Sequence, residues 1–328
     1  MPDNRFLDSE ESLRTRLTRI LPGLYSFGGE AGLRRLKLSE NYIYRLDLRE
    51  GQSLILRVHR PRYHTDGELQ AELQWMAELK EETDLRLPEA IPGRNGELLQ
   101  HFTGESGEEY RCSVVSFLEG TTFGDLSRED MLREIRDIGG ITARLHLQAE
   151  RREYRGRLDR PAWDGENLFG RNGIWGNWRD YPDLTEKDRR ILEAAEGRIR
   201  SWLDQYGRTP EHYGMIHGDL HFYNIIHDET GNQLIDFDDC GYGFYLYDLG
   251  CTLCTCSEDL EELSQAWVSG YMEYRQLSRE ELRALPVFIL LRRMMRLAWI
   301  GSHQESDTVR TVPAEYKSIT VRMAEEVL

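Results

Sequence analysis

The sequence predicts an α+β chain in two lobes, a small β-rich one over residues 1–118 and a larger, mainly helical one over residues 119–328. Three observations carry that expectation. A length of 328 residues allows two domains and a large buried core. From Leu36 to Phe117 the pattern is mostly that of strands, broken by one helical stripe. Beyond Ser127 apolar residues recur at helical spacing instead.

The elements follow in order. Ser9 to Leu21 is an amphipathic helix, with Leu13, Leu17, Ile20 and Leu21 on one face after the start Ser9-Glu10-Glu11-Ser12. Leu36–Leu48 and Ser53–Val58 read as two strands joined by Arg49-Glu50-Gly51-Gln52, and Tyr42, Tyr44, Leu46 and Leu48 alternate as a half-buried strand requires. Glu68–Leu79 carries Leu69, Leu73, Met76 and Leu79 on one stripe. A hairpin of Leu98–His101 and Tyr110–Phe117 follows, and Glu119-Gly120-Thr121-Thr122 forms the crossing into the second lobe. There Ile135, Ile138, Ile141, Leu145 and Leu147 mark a long helix. Trp163–Asp183, rich in Gly and Trp, is an irregular insertion, and Leu184–Tyr206 resumes as helix. Val287–Ile300 is the most apolar stretch, but Arg292, Arg293 and Arg296 interrupt it, so it reads as a buried helix and not a membrane span.

Composition narrows the classes. Hydrophobic residues at 39% and charged residues at 30% give a globular balance. A net charge of −16 argues against a nucleic-acid binder, which carries a basic footprint. It is compatible with a cationic substrate, although net charge speaks to solubility first. Met1 to Asp8 has neither a basic nor an apolar signal region, and a cytoplasmic protein without membrane association is expected. The sequence carries no sign of oligomeric state. Cys240, Cys251, Cys254 and Cys256 cluster, but no second metal-binding knuckle accompanies them, and the last three fall in an expected core helix. They read as small apolar packing residues.

The chemistry concentrates in His217-Gly218-Asp219-Leu220-His221-Phe222-Tyr223-Asn224 and, further on, Ile235-Asp236-Phe237-Asp238-Asp239. Asp219 and Asn224 lie five apart in a polar loop, and Asp236 follows twelve later at the end of a short apolar run. Phosphoryl transfer from ATP needs three such groups: a carboxylate facing the acceptor hydroxyl, and an amide and a second carboxylate holding Mg²⁺.

This segment resembles the catalytic loop and Asp-Phe metal motif of the protein-kinase-like superfamily. It is most similar to the aminoglycoside phosphotransferase and choline/homoserine kinase-like branch. Gly218 and His221 stand where protein kinases carry Arg and Lys, which is the small-molecule pattern, and Tyr247-Asp248-Leu249 also matches. The resemblance spans roughly 36–253 and implies a bilobal kinase-like fold using ATP and Mg²⁺.

It also implies roles. Asp219 would be the catalytic base, orienting the acceptor hydroxyl and taking its proton late. Asn224 and Asp236 would hold Mg²⁺, which favours oxygen ligands and keeps several waters. His217 would support the loop from the metal motif, and Asp248 would accept hydrogen bonds from the loop backbone. His221 would contact substrate or phosphate. Asp238 and Asp239 either extend the metal shell or cap the next turn. Arg57 occupies the position of the usual phosphate-binding Lys, with Glu72 as its helix partner; the guanidinium keeps the charge and adds a two-point fork. Ser39 and Asn41 lie where a strand turn covers the phosphates, and the backbone of Ser116 to Leu118 would read the adenine edge. Trp163, Trp175, Trp178 and Tyr181 form either a cation cage or the miniature core of the insertion.

Three functions remain open at this level: a kinase acting on the hydroxyl of a small metabolite, a Ser/Thr protein kinase of the bacterial stress-response type, and an inactive nucleotide-binding regulator. Asp219, Asn224 and Asp236 together disfavour the last. Only twelve positions separate Asp236 from Asp248, too few for a long peptide-docking segment, which favours a small hydroxyl acceptor.

Overall fold

A computed structural model describes residues 6–27, 32–38, 41–49, 51–124, 126–154, 156–171, 173–304 and 307–327. The chain begins with helix α1 (Glu10–Leu24), whose N-terminus is capped by Ser9. Strands β1 (Gly32–Leu38), β2 (Tyr42–Asp47) and β3 (Ser53–His59) follow, then α2 (Asp66–Glu82), β4 (Ala90–Ile91), β5 (Leu99–Thr103) and β6 (Glu109–Ser116). Next come α3 (Arg128–Arg152), β7 (Ala162–Trp163), the short α4 (Gly165–Phe169), α5 (Glu186–Tyr206), β8 (Tyr213–Ile216), β9 (Ile225–Asp228), β10 (Gly231–Leu234) and β11 (Gly241–Phe244). The chain ends in α6 (Tyr247–Leu253), α7 (Leu260–Tyr271), α8 (Arg279–Ser302), α9 (Asp307–Arg310) and α10 (Tyr316–Val327).

The fold divides into two compact units, the first comprising 1–121 together with 158–160 and 226–238, the second comprising 122–157, 161–225 and 239–328. The first is built on an antiparallel sheet ordered β1-β2-β3-β6-β4, with β5 also pairing β6. The alternation of Tyr42, Tyr44 and Leu46 puts these side chains on one face with Leu54, Leu56 and Val58 of β3, and α1 covers that face with Leu13, Leu17 and Leu21. Each of those buried leucines contributes roughly 1.5–3 kcal/mol of hydrophobic stabilisation. Helix α2 opens on a reciprocal cap between Thr65 and Glu68. Its Trp75 is fully buried and meets Phe237 edge-on at 5.6 Å.

In the second unit, α3 and α7 pack at close range. A Cβ on Gly270 would fall 1.8 Å from the Arg136 carbonyl, so only glycine permits that crossing. Strand β11 lies between β7 (parallel) and β8 (antiparallel). Arg293 is fully buried in α8 and donates to the carbonyls of Cys254, Cys256 and Tyr316 and to the Thr320 hydroxyl, which ties α10 to α8.

Three expectations need correction. Leu36–Leu48 is not one strand but the end of β1 and all of β2, paired as antiparallel neighbours. The polar run Ser39-Glu40-Asn41 breaks the alternation between Leu38 and Tyr42, so the division is already in the sequence. Cys254 and Cys256 lie beyond the end of α6, although Cys240, Cys251 and Cys254 are buried as packing residues. The cation-cage alternative for the insertion also fails: Trp163 and Trp178 are buried, Arg179 covers the Trp178 ring at 4.2 Å, and Arg292 covers Trp175 at 4.1 Å. Among the described residues no helix is long and apolar enough to cross a membrane, and no group of three or more His, Cys, Asp or Glu is arranged to hold a metal ion.

Candidate active site

In the second unit the loop after β8 is held from below by α6. Asp248 is fully buried and accepts the N–H groups of His217 at 3.0 Å and Gly218 at 2.8 Å. It is also 3.2 Å from His146 Nε2. Burial holds the His146 pKa below its ordinary value despite that carboxylate. The neutral ring therefore donates through Nε2, and Nδ1 accepts the Tyr271 hydroxyl at 2.9 Å. One turn on, the Cys251 thiol donates to the Gly218 carbonyl and the Thr252 hydroxyl to the Leu220 carbonyl, each at 3.0 Å. Three side chains of one short helix thus fix the backbone on which Asp219 sits.

Gly218 is required by that geometry. Its φ is +80°, and a Cβ there would come 2.4 Å from the Asp239 carbonyl, which also accepts the Trp163 indole N–H at 2.7 Å.

The Asp219 carboxylate is surrounded by donors. Arg292 Nη2 of α8 donates to Oδ1, while His221 Nε2 lies 3.2 Å and Asn224 Nδ2 3.3 Å from Oδ2. His221 Nδ1 accepts the Tyr223 N–H at 3.2 Å, which leaves its Nε2–H for Asp219. His217 lies beneath, its Nδ1 3.4 Å from the Asp219 amide nitrogen. Burial raises the Asp219 pKa, but His221 and Arg292 more than offset it and hold the carboxyl well below the usual carboxylate range. Asn224 is buried and also donates Nδ2 to the Asp219 carbonyl at 2.9 Å, so Oδ1 is its available oxygen for a metal.

In the first unit, Arg57 of β3 pairs with Glu72 of α2, whose side chain is 1% exposed, and lies 3.6 Å from Asp238 Oδ1. Burial lowers the Arg57 pKa, yet Glu72 and Asp238 bring it above its ordinary value. His64 stands 3.4 Å from Glu68 and 3.8 Å from Asp238. Arg160 donates to the Asp238 carbonyl and to that of Glu68. Burial pushes Asp238 upward, but His64 and Arg57 outweigh it and hold the carboxyl far below its ordinary range. Asp236 is exposed at φ +65°, a conformation non-glycine residues seldom adopt, while the adjoining Phe237 is buried.

The sequence candidates therefore gather in two sets: Asp219, His221, Asn224, His217 and Asp248 in the second unit, and Arg57, Glu72 and Asp238 in the first. Asn41, in the first unit, is buried and its Oδ1 accepts the Arg60 N–H at 3.0 Å. Ser39 lies outside the described residues. Ser116 gives its N–H to the Glu89 carbonyl at 2.8 Å, whereas the backbone of Leu118 hydrogen-bonds to no described residue. Glu72 Oε2 and Asp238 Oδ1 are buried without a hydrogen-bond partner. The Asn224 amide oxygen in the second unit and the Asp236 carboxylate in the first are each hard oxygen donors of the kind Mg²⁺ takes. Sequence reasoning missed His64, Arg160 and the role of Arg292. For Arg292 a signal existed, because a charge inside an apolar helix is seldom buried without a partner.

Comparison with known proteins agrees with this architecture. Residues 33–285 match the phosphotransferase enzyme family. The structure of a microcompartment-associated aminopropanol kinase superposes with a TM-score of 0.84 at 32% identity, over 95% of this chain and 97% of that one. Amicoumacin kinase of Bacillus subtilis (strain 168) is 22% identical over 88% of this chain and 84% of its own. Stress response kinase A of Salmonella choleraesuis (strain SC-B67) is 22% identical over 83% and 77%. The fold is protein-kinase-like, and the class it defines is that of phosphotransferases with an alcohol group as acceptor. The chain belongs to the phosphotransferase enzyme family.

Proposed function

We propose that the protein moves the γ-phosphoryl group of ATP, with Mg²⁺, to the hydroxyl of a small amine-bearing metabolite. The reading rests on Asp219: a carboxylate ionised at neutral pH, oriented by three donors and fixed on a backbone that α6 braces. Such a group orients an acceptor hydroxyl and takes its proton late in a loose transition state. Bound Mg²⁺ would neutralise phosphate charge, with Asn224 and Asp236 as its protein ligands. Arg57, kept charged by Glu72 and Asp238, would bind phosphate oxygens. A cytoplasmic location suits an ATP user. The likeness to an aminopropanol kinase supports an amino alcohol as acceptor, and the solved structure of another amicoumacin kinase, hAmiN, which is 21% identical and holds AMP-PNP and Ca²⁺, supports nucleotide and divalent-metal use.

The similarity to a stress response kinase favours a second reading, phosphorylation of Ser or Thr in a protein. Coupled ADP release, measured across amino alcohols, hydroxy amino acids, aminoglycosides, neutral and anionic alcohols and a protein acceptor, separates the two. Transfer to protein with no turnover of any small alcohol would overturn the first.

A further inference from the structure

Helix α8 carries into the catalytic loop a cation whose second arm the reaction above does not use. The Arg292 side chain is 4% exposed. Nη2 donates to Asp219 Oδ1, Nε lies 3.1 Å from the Cys251 sulfur, and the guanidinium covers the Trp175 ring at 4.1 Å, with Tyr247 at 5.8 Å. Nη1 hydrogen-bonds to no described residue. Nη1 is not sealed from solvent, so beside Asp219 this arm stays open to a ligand.

The geometry around Asp219 suggests which occupant. Oδ2 faces both His221 and Asn224, whereas Arg292 is the donor at Oδ1. Oδ1 therefore keeps a lone pair for an acceptor hydroxyl, whose oxygen would sit about 2.7 Å away. The phosphoryl group that joins this oxygen then brings its own oxygens next to the same guanidinium.

Resting on the reading of the protein as an ATP-dependent kinase, we propose that Arg292 is a further catalytic residue: Nη2 fixes Asp219, and Nη1 donates to an oxygen of the phosphoryl group in transfer. In that step the acceptor oxygen bonds to the γ-phosphorus and the bond from phosphorus to the β–γ bridging oxygen breaks. ADP leaves with that electron pair, and the hydroxyl proton passes to Asp219. Arg292 exchanges no proton. Negative charge is spread over the transferred oxygens in the transition state, and a donor held in place by Trp175 and Cys251 meets it without reorganisation.

The test needs no acceptor. Calorimetry would compare binding of Mg·ADP alone and with aluminium fluoride, a mimic of the flat transferring group, in the wild type, R292M and R292K. All three should bind Mg·ADP alike. Aluminium fluoride should tighten the wild-type complex at least tenfold more than the R292M complex, with R292K between them. Equal tightening in R292M and the wild type, or none in the wild type, would overturn the proposal. Should R292M fail to fold, R292K decides, since it keeps the charge without the fork; full wild-type tightening there also counts against the second arm. A wild type that does not bind Mg·ADP at all refutes the nucleotide reading itself, and the proposal with it.

Discussion

Asp248 accepts the N–H of Gly218 at 2.8 Å, from a position with no solvent exposure. The bond joins the first turn of α6 to the residue just before Asp219 and makes the loop's conformation depend on a side chain outside it. Asp248→Ala would leave two buried amide donors, those of His217 and Gly218, without acceptors. The expected cost is about 1–3 kcal/mol for each, read as a lower urea midpoint, together with a fall in turnover.

Asp219→Asn removes the base and keeps the shape. Nucleotide affinity should stay within a fewfold of wild type while ADP release with acceptor drops on the order of 10²–10⁴-fold. A parallel loss of nucleotide affinity would show that the residue acts structurally.

Asp236→Ala should abolish the Mg²⁺ dependence of ATP binding, measured by calorimetry with and without the metal. Retention of the full metal dependence would rule the assignment out.

Arg57→Ala strands Glu72 as an unpaired buried carboxylate and leaves Asp238 with His64 alone as its cationic side-chain partner. Breaking such a pair costs about 3–5 kcal/mol, so both stability and ATP affinity should fall. Arg57→Lys should retain much of each if charge suffices. Equal damage from Lys and Ala would mean that the two-point fork is required.

His64 gives the protein a pH signature. Burial lowers its pKa, but Asp238 and Glu68 outweigh it and push the value up to about 9 from 6.5. A folded-state pKa above the unfolded one stabilises below pH 6.5, and that stabilisation is lost as pH rises through about 9. The shift corresponds to roughly 3 kcal/mol. Urea midpoints at pH 6 and pH 9.5 should therefore differ more in the wild type than in His64→Gln. Identical pH dependence in both would exclude the linkage.

Local motifs were legible in the sequence, and long-range partners were not. The polar loop from His217 to Asn224 stood out by its own residues and spacing, whereas the Asp248 that braces it and the pairing of Arg57 with Glu72 were implied only by the family resemblance. Arg292 lies 73 positions from Asp219, and its place in an apolar helix says that it is paired without saying with what. Nor does any local pattern announce that 158–160 and 226–238 join the first unit, because the packing of Phe237 on Trp75 is a tertiary event.

Gly218 limits how this loop can evolve. The arginine that protein kinases carry at this position would need a side chain where the Asp239 carbonyl already stands, on a backbone turned to positive φ. No single substitution can interchange the two loop types; the chain after the metal motif would have to move first. Drift toward the protein-kinase loop is thus blocked by a carbonyl oxygen twenty-one residues downstream, which leaves variation in acceptor choice to the walls around the loop.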